Sequence, residues 1–390
     1  MADPSRQVER RIDLDWIRIA AFGSLILYHV GMVFVPWYYH VKSTHIIPAL
    51  EPLMLLFNPW RLSLLFLVAG TATRFMFDNT APLALLGRRS SRLLPPLLFG
   101  MLVIVPPQSY WEVVSRHLYD GGFLAFYTGP YLAFAHEFCR GGPCIILPTW
   151  NHLWFVAYLW LYTVVLMLLV SLQPVAVRRM EARLAYLLSG IWLLVIPLLL
   201  FGFYRLVLFP QFPPTNAMVG DWYNHAQYFS MFVLGFLIAR SETVWDTMMQ
   251  WRWVALVAAA VVFASYLVLS AIWPAGATIP VGLKFYQRAA YGLYQWCCIV
   301  AILGFGRRWI RMDSAAHRYL TDAIFPYYIV HQTVIVGVAF ALRDAGLPAA
   351  IEAVIIIVAT VVGCALSYEI IRRISWLRPL FGLKPQISRA

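Results

Sequence analysis

Residues 14–37 read LDWIRIAAFGSLILYHVGMVFVPW, an apolar run long enough to cross a bilayer that nevertheless carries Asp15, Arg18 and His29. Charge within hydrocarbon is costly, so an ionisable side chain inside a span ordinarily faces a cavity or a polar partner. In a helix, the eleven residues from Arg18 to His29 return the histidine to the arginine's face, roughly 16 Å farther along. Asp15 lies near the same line, one turn earlier. The stripe predicts the lining of a polar cavity. A snorkelling arginine and a histidine bonded between helices fit the same spacing.

The rest of the 390-residue chain matches this run: 61% of residues are hydrophobic and 12% charged, with a mean hydropathy of +0.70. That composition excludes a soluble globular protein. The fold class expected is all-α, a polytopic membrane helix bundle of about ten transmembrane helices. Spans are expected near 16–36, 52–75, 93–112, 152–172, 184–205, 225–239, 253–273, 287–305, 322–342 and 350–371. The chain then forms one membrane domain over 1–390, with short tails at about 1–14 and 373–390. Because 16–36 is long enough to span and no small-residue cleavage site follows it, a cleaved signal peptide is not expected.

Basic residues set the orientation. With the N-terminus inside, the inner segments hold most of the thirty lysines and arginines, among them Arg6, Arg10, Arg178, Arg179, Arg307, Arg308 and Arg389. The outer segments hold Lys42, Arg116, Arg140, Arg205, Lys284 and Arg343. Topology therefore accounts for the net charge of +12 without nucleic acid, and both termini are expected in the cytoplasm. Cys139 and Cys144 bracket Arg-Gly-Gly-Pro in the long outer loop and are expected to form a bridge. Cys297, Cys298 and Cys364 fall in spans and are expected to pack.

Other polar residues share the membrane. Arg61 follows Asn58-Pro59-Trp60 about a third of the way into the second span, at a depth similar to His29, so a hairpin of neighbouring helices brings the two face to face. Bonding to carbonyls freed at the Pro59 kink is the alternative. His152 and Trp154 open the fourth span, and His331 and Gln332 lie in the ninth. Interfacial anchoring and interhelical bonding explain such residues as well as a site does. Asp221 and His225, at the outer mouth of the sixth span, are expected to be solvated. Arg88, Arg89 and Arg92 stand just ahead of the expected third span, where a helix N-terminus and guanidinium groups suit a phosphate; positive-inside bias alone also produces such clusters. No phosphate-binding glycine loop and no metal-ligand pair at helical spacing is present, so metal chemistry is not expected.

Together these residues resemble the acyltransferase-3 family of integral-membrane acyltransferases, whose first span carries an arginine and a histidine separated by ten residues, here Arg18 and His29. The stretches Leu14–Arg18 with His29–Trp37, and Trp60-Arg61 with Leu65–Gly70, look like the glucan biosynthesis protein C branch. His152–Phe155, Tyr319–Ala323 and Tyr328–Gln332 are similar as well, and Arg89-Ser90-Ser91-Arg92 fits the family's Arg-x-x-Arg. One departure is Ala69 before Gly70, where the family often has serine.

The resemblance implies a bacterial inner-membrane enzyme that draws acyl-coenzyme A, as succinyl-CoA or acetyl-CoA, from the cytoplasm and acylates a glycan hydroxyl on the far side. In the glucan branch the acceptor is periplasmic glucan and the group succinyl. On that reading His29 and Arg61 are catalytic, Arg18, Arg89, Arg92 and Asp15 serve the donor, and His152, Trp154, His331 and Gln332 contact substrate. The partners are acyl-coenzyme A, the glycan acceptor and the lipid bilayer; no resident cofactor is expected. O-acetylation of another envelope polysaccharide or of lipopolysaccharide is the nearest alternative. A secondary transporter would have similar helices, but broken midplane helices and paired repeats are not evident.

Overall fold

Backbone groups in lipid have no partner but one another, so the apolar runs close as helices. The computed structural model describes residues 11–134, 136–139, 144–273 and 277–385. Arg6, Arg10, Arg140 and Arg389 lie outside them. Helices α1 (Ile12–Met32), α2 (Glu51–Phe57), α3 (Arg61–Phe77), α4 (Pro82–Phe99), α5 (Pro106–Ser115) and α6 (Phe123–Phe126) make the first part. There follow α7 (Trp154–Leu172), α8 (Pro174–Leu187), α9 (Trp192–Phe203), α10 (Phe209–Gln211) and α11 (Trp222–Ile238). The last part holds α12 (Glu242–Ile272), α13 (Val281–Trp309), α14 (Ala315–Leu342), α15 (Ala349–Arg373) and α16 (Leu377–Leu380). A small antiparallel hairpin, β1 (His136–Phe138) with β2 (Ile145–Leu147), lies between α6 and α7, where Cys139 and Cys144 are bridged.

Among the described residues, eight helical segments are long and apolar enough to cross a membrane, so the all-α polytopic bundle stands. Helix α1 misses that measure through its polar stripe and α11 through its 17 residues. Both nevertheless occupy expected positions and pack among the eight, α1 on α3 and α14, α11 on α3. Helices α2 and α3 continue one span, Pro48–Phe77, and α4 and α5 another, Pro82–Ser115. At one end Arg240 pairs with Asp78 at 2.5 Å, Arg11 stacks 4.3 Å from the Trp245 ring, and Arg92 donates to the Gly382 carbonyl. At the other, His45 meets the Leu347 carbonyl at 3.0 Å and Trp150 donates to Asn216 at 2.9 Å.

Three expectations change. The span near 184–205 starts at Trp192, because Arg178, Arg179, Glu181 and Arg183 keep the preceding residues in a separate helix, α8, with no buried side chain. Helix α4 starts at Pro82, which suits a first-turn position, so Arg88, Arg89 and Arg92 sit in its second and third turns rather than ahead of it. No helix N-terminus serves them. Finally, Asp221 is fully buried, not solvated: it accepts bonds from Tyr158, Asn224 and the Thr215 and Asn216 backbone, which fixes the loop before α11.

Candidate active site

The stripe on α1 serves two cavities rather than one. Arg18 and Asp15 line a cavity of about 590 Å³, inner on the expected orientation, and His29 lines another of about 730 Å³, outer on it. Between the levels of Arg18 and His29 lies an aromatic layer. Phe22 of α1 meets Tyr328 of α14 at 5.4 Å and Phe155 of α7 at 6.2 Å, and Phe66 of α3 meets Phe155 at 4.4 Å.

In the outer cavity, the break at Asn58-Pro59-Trp60 ends α2 and restarts the chain as α3, so Arg61 enters the wall in the first turn. Arg61 is 4% exposed, donates to Asn58 Oδ1 at 3.1 Å and lies 3.4 Å from the Tyr28 ring centre. Its Nε has no hydrogen-bond partner among the described residues. As the spacing predicts, Arg61 and His29 share this cavity, and His152 and Trp154 join its lining.

Behind His29 stands His331, fully buried, its ring parallel to that of His29 within 7° and the centres 5.1 Å apart. His331 Nδ1 lies 2.6 Å from the Tyr328 carbonyl, which can only accept, so this nitrogen carries the proton. In the neutral ring its Nε2 is then an acceptor, and His29 Nδ1, 2.9 Å away, must donate to it. This bonding assigns the tautomers. His29 Nε2 is left with its lone pair free and no partner among the described residues, on the wall of the cavity. His331 and Gln332, expected at the substrate, thus lie behind the wall. His152 turns its Nε2 to the Ile329 carbonyl at 3.0 Å and sets its ring edge-on to His331.

Gln332 belongs to a second network. It donates to His40 Nε2 at 2.8 Å and to Gln108 Oε1 at 3.2 Å, and Gln108 Oε1 also accepts from Asn151 at 3.1 Å. His40 Nδ1 donates in turn to the buried Glu112 at 2.5 Å, which Tyr38 also bonds. The network braces the neighbours of His152 and His331. Sequence reading passed over His40, Gln108 and Glu112; a carboxylate at the end of the expected third span was the available signal.

The inner cavity is basic. Arg18 lies 3.5 Å from Asp15 and 3.5 Å from the Thr321 carbonyl, and Arg11, Arg92, Arg378 and Lys384 share the lining. Arg92 is where the donor reading needs it. Arg89 is not: it donates to the Ala69 carbonyl at 3.2 Å and to Thr73, tying α4 to α3. Arg11, Arg378 and Lys384 are the cavity cations that the linear reading did not assign to the donor.

The family model described as an acyltransferase domain, acyltransferase 3, matches residues 11–369. The chain belongs to the acyltransferase-3 family. No curated protein and no solved structure matches it. As an acyltransferase-3 protein it is a multi-pass membrane acyltransferase, and the two cavities lie within the span its family model covers.

Proposed function

We propose that this acyltransferase moves an acyl group from cytoplasmic acyl-coenzyme A to a hydroxyl of an envelope glycan, with succinylation of periplasmic glucan as the leading assignment. The bias of basic residues supports a cytoplasmic inner cavity in a bacterial inner membrane, with both termini inside. Its cations suit the donor's phosphates: Arg18 and Arg92, with Arg378 and Lys384, make charge-assisted bonds there. The roughly 16 Å rise from Arg18 to His29 suits an extended donor arm that carries the thioester past the aromatic layer.

The observation that carries the reading is the relay Tyr328 carbonyl, His331, His29, which leaves the His29 Nε2 lone pair free at the wall Arg61 shares. A glycan hydroxyl attacks the thioester carbonyl while His29 Nε2 takes its proton, and Arg61 holds the oxyanion that forms. The carbon–sulfur bond then breaks, the ester departs with the glycan, and the thiolate recovers the proton from His29. With a succinyl donor, Arg61 also suits the distal carboxylate.

The test is incubation of the purified protein with labelled succinyl- or acetyl-coenzyme A and periplasmic glucan, followed by mass spectrometry of the glycan. Succinyl esters with equimolar release of coenzyme A are expected. Acetyl esters formed on lipopolysaccharide or capsule instead would move the assignment to O-acetylation, and no ester on any glycan would overturn it.

A further inference from the structure

The outer cavity holds more positive charge than the reaction uses. Besides Arg61, its lining includes Arg205, Lys284 and Arg288, and among the described residues it includes no carboxylate. Lys284, Arg288, Tyr291 and Gln295 follow one another at intervals of four, three and four residues on α13, so they form one stripe. The first three line the cavity; Gln295, at the deep end, donates at 3.1 Å to Ser63, two residues from Arg61. A ladder of cations thus runs from the outer end of α13 toward the reacting centre. Arg205 stands beside it, its guanidinium 3.7 Å from the Tyr291 ring and 4.0 Å from the Phe209 ring, donating to Tyr223 at 3.3 Å.

These cations lack carboxylate partners. At the opposite end of the bundle Arg74, Arg240 and Arg307 are each paired with an acid, whereas Arg205, Lys284 and Arg288 have no ion pair among the described residues. Arg205 Nε is buried with no hydrogen-bond partner among the described residues. On the proposed orientation, Arg205 and Lys284 also run against the bias that keeps basic residues out of outer segments. Three unneutralised cations in one cavity, set against that bias, answer to a ligand's charge. The lining suits a sugar better than a lipid headgroup, since the rings of Trp154 and Tyr228 and the amide of Asn216 contribute to it.

We propose that the outer cavity selects an acidic acceptor, a glycan bearing a phosphate or carboxylate substituent, through Arg205, Lys284 and Arg288. This rests on the reading that the cavity holds the acceptor, and it narrows the acceptor's class. Its test uses no donor, so it is separate from acyl transfer. The full-length purified protein is titrated with a glucose oligosaccharide and with the same oligosaccharide carrying a phosphate ester. The parent binds the phosphate ester more tightly, and rising salt weakens that preference. Losing one charged hydrogen bond corresponds to about a ten- to a hundredfold change, so Arg288→Gln and Arg205→Gln should each shrink the preference by about that factor. Lys284→Gln, at an exposed position, reads the same preference should Arg205→Gln fold poorly. Equal binding of the two oligosaccharides by the parent overturns the proposal, as does a preference that survives in the Arg205→Gln/Arg288→Gln double variant. So does its abolition on reconstitution into phosphatidylglycerol nanodiscs with uncharged lipid as control, which would make this a lipid-headgroup site. Selective binding without acyl transfer would instead count against the catalytic reading alone.

Discussion

On the proposed mechanism, His29 acts through what stands behind it. A histidine alone on a cavity wall exchanges its proton between two nitrogens; here the Tyr328 carbonyl fixes His331, and His331 fixes His29. On that mechanism His331 is a positioning residue. His331→Gln can still accept the Nδ1 proton through its amide oxygen, whereas His331→Phe fills the space without accepting. Steady-state kinetics should show kcat falling in His331→Phe by part of the 10²- to 10⁴-fold expected for losing a base, with donor KM little changed. His331→Gln should recover much of it. Equal kcat in both variants would reduce His331 to packing. That His29 and Arg61 reach one cavity was legible in sequence, because helical period and span depth are local properties. The relay was not: it joins α1 to α14 across about 300 residues of chain.

At the scale of elements, the site depends on how closely α3 meets α11. A Cβ on Gly70 would fall 1.9 Å from the Phe232 carbonyl oxygen, and one on Gly235 would fall 2.0 Å from that of Leu67. Thr71 reinforces the crossing by donating to the Gly235 carbonyl at 3.1 Å. Small residues that let backbones approach are how membrane helices associate where no hydrophobic drive separates them from lipid. Gly70→Ala must push the helices apart, which should cost about 1–3 kcal/mol and shift Arg61, nine residues earlier on the same helix. Thermal unfolding in detergent should show the loss. Gly87→Ala, where a Cβ meets nothing within 4 Å, is the control and should unfold no earlier than the parent. Equal melting of Gly70→Ala and the control would show the contact to be soft. Sequence located nearly every span, yet placed the start of α4 eleven residues late, because charged residues in its first turns hid the helix behind a low hydropathy. With that boundary moved, Arg89 left the donor group and joined the α3 contact.

Across the whole molecule, the chain sets a basic cavity at one end and a cationic, aromatic-walled cavity at the other, with Phe22, Phe66, Phe155 and Tyr328 between. A protein arranged this way can take its donor and acceptor from opposite sides of a membrane, provided the donor's arm threads the aromatic layer. Composition made the bundle legible and the charge bias suggested its orientation; the division into two cavities depends on packing and was invisible in a stripe read along a single helix. The most direct test reconstitutes the protein in sealed vesicles with its inner face outward, seals an acceptor glycan inside and adds labelled acyl-coenzyme A outside, comparing the parent with a His29→Ala variant of matched thermal stability. The account predicts labelled glycan in the lumen for the parent and, for His29→Ala, donor binding retained with transfer reduced by 10²- to 10⁴-fold. Near-parental labelling of the enclosed glycan by a well-folded His29→Ala protein would contradict it.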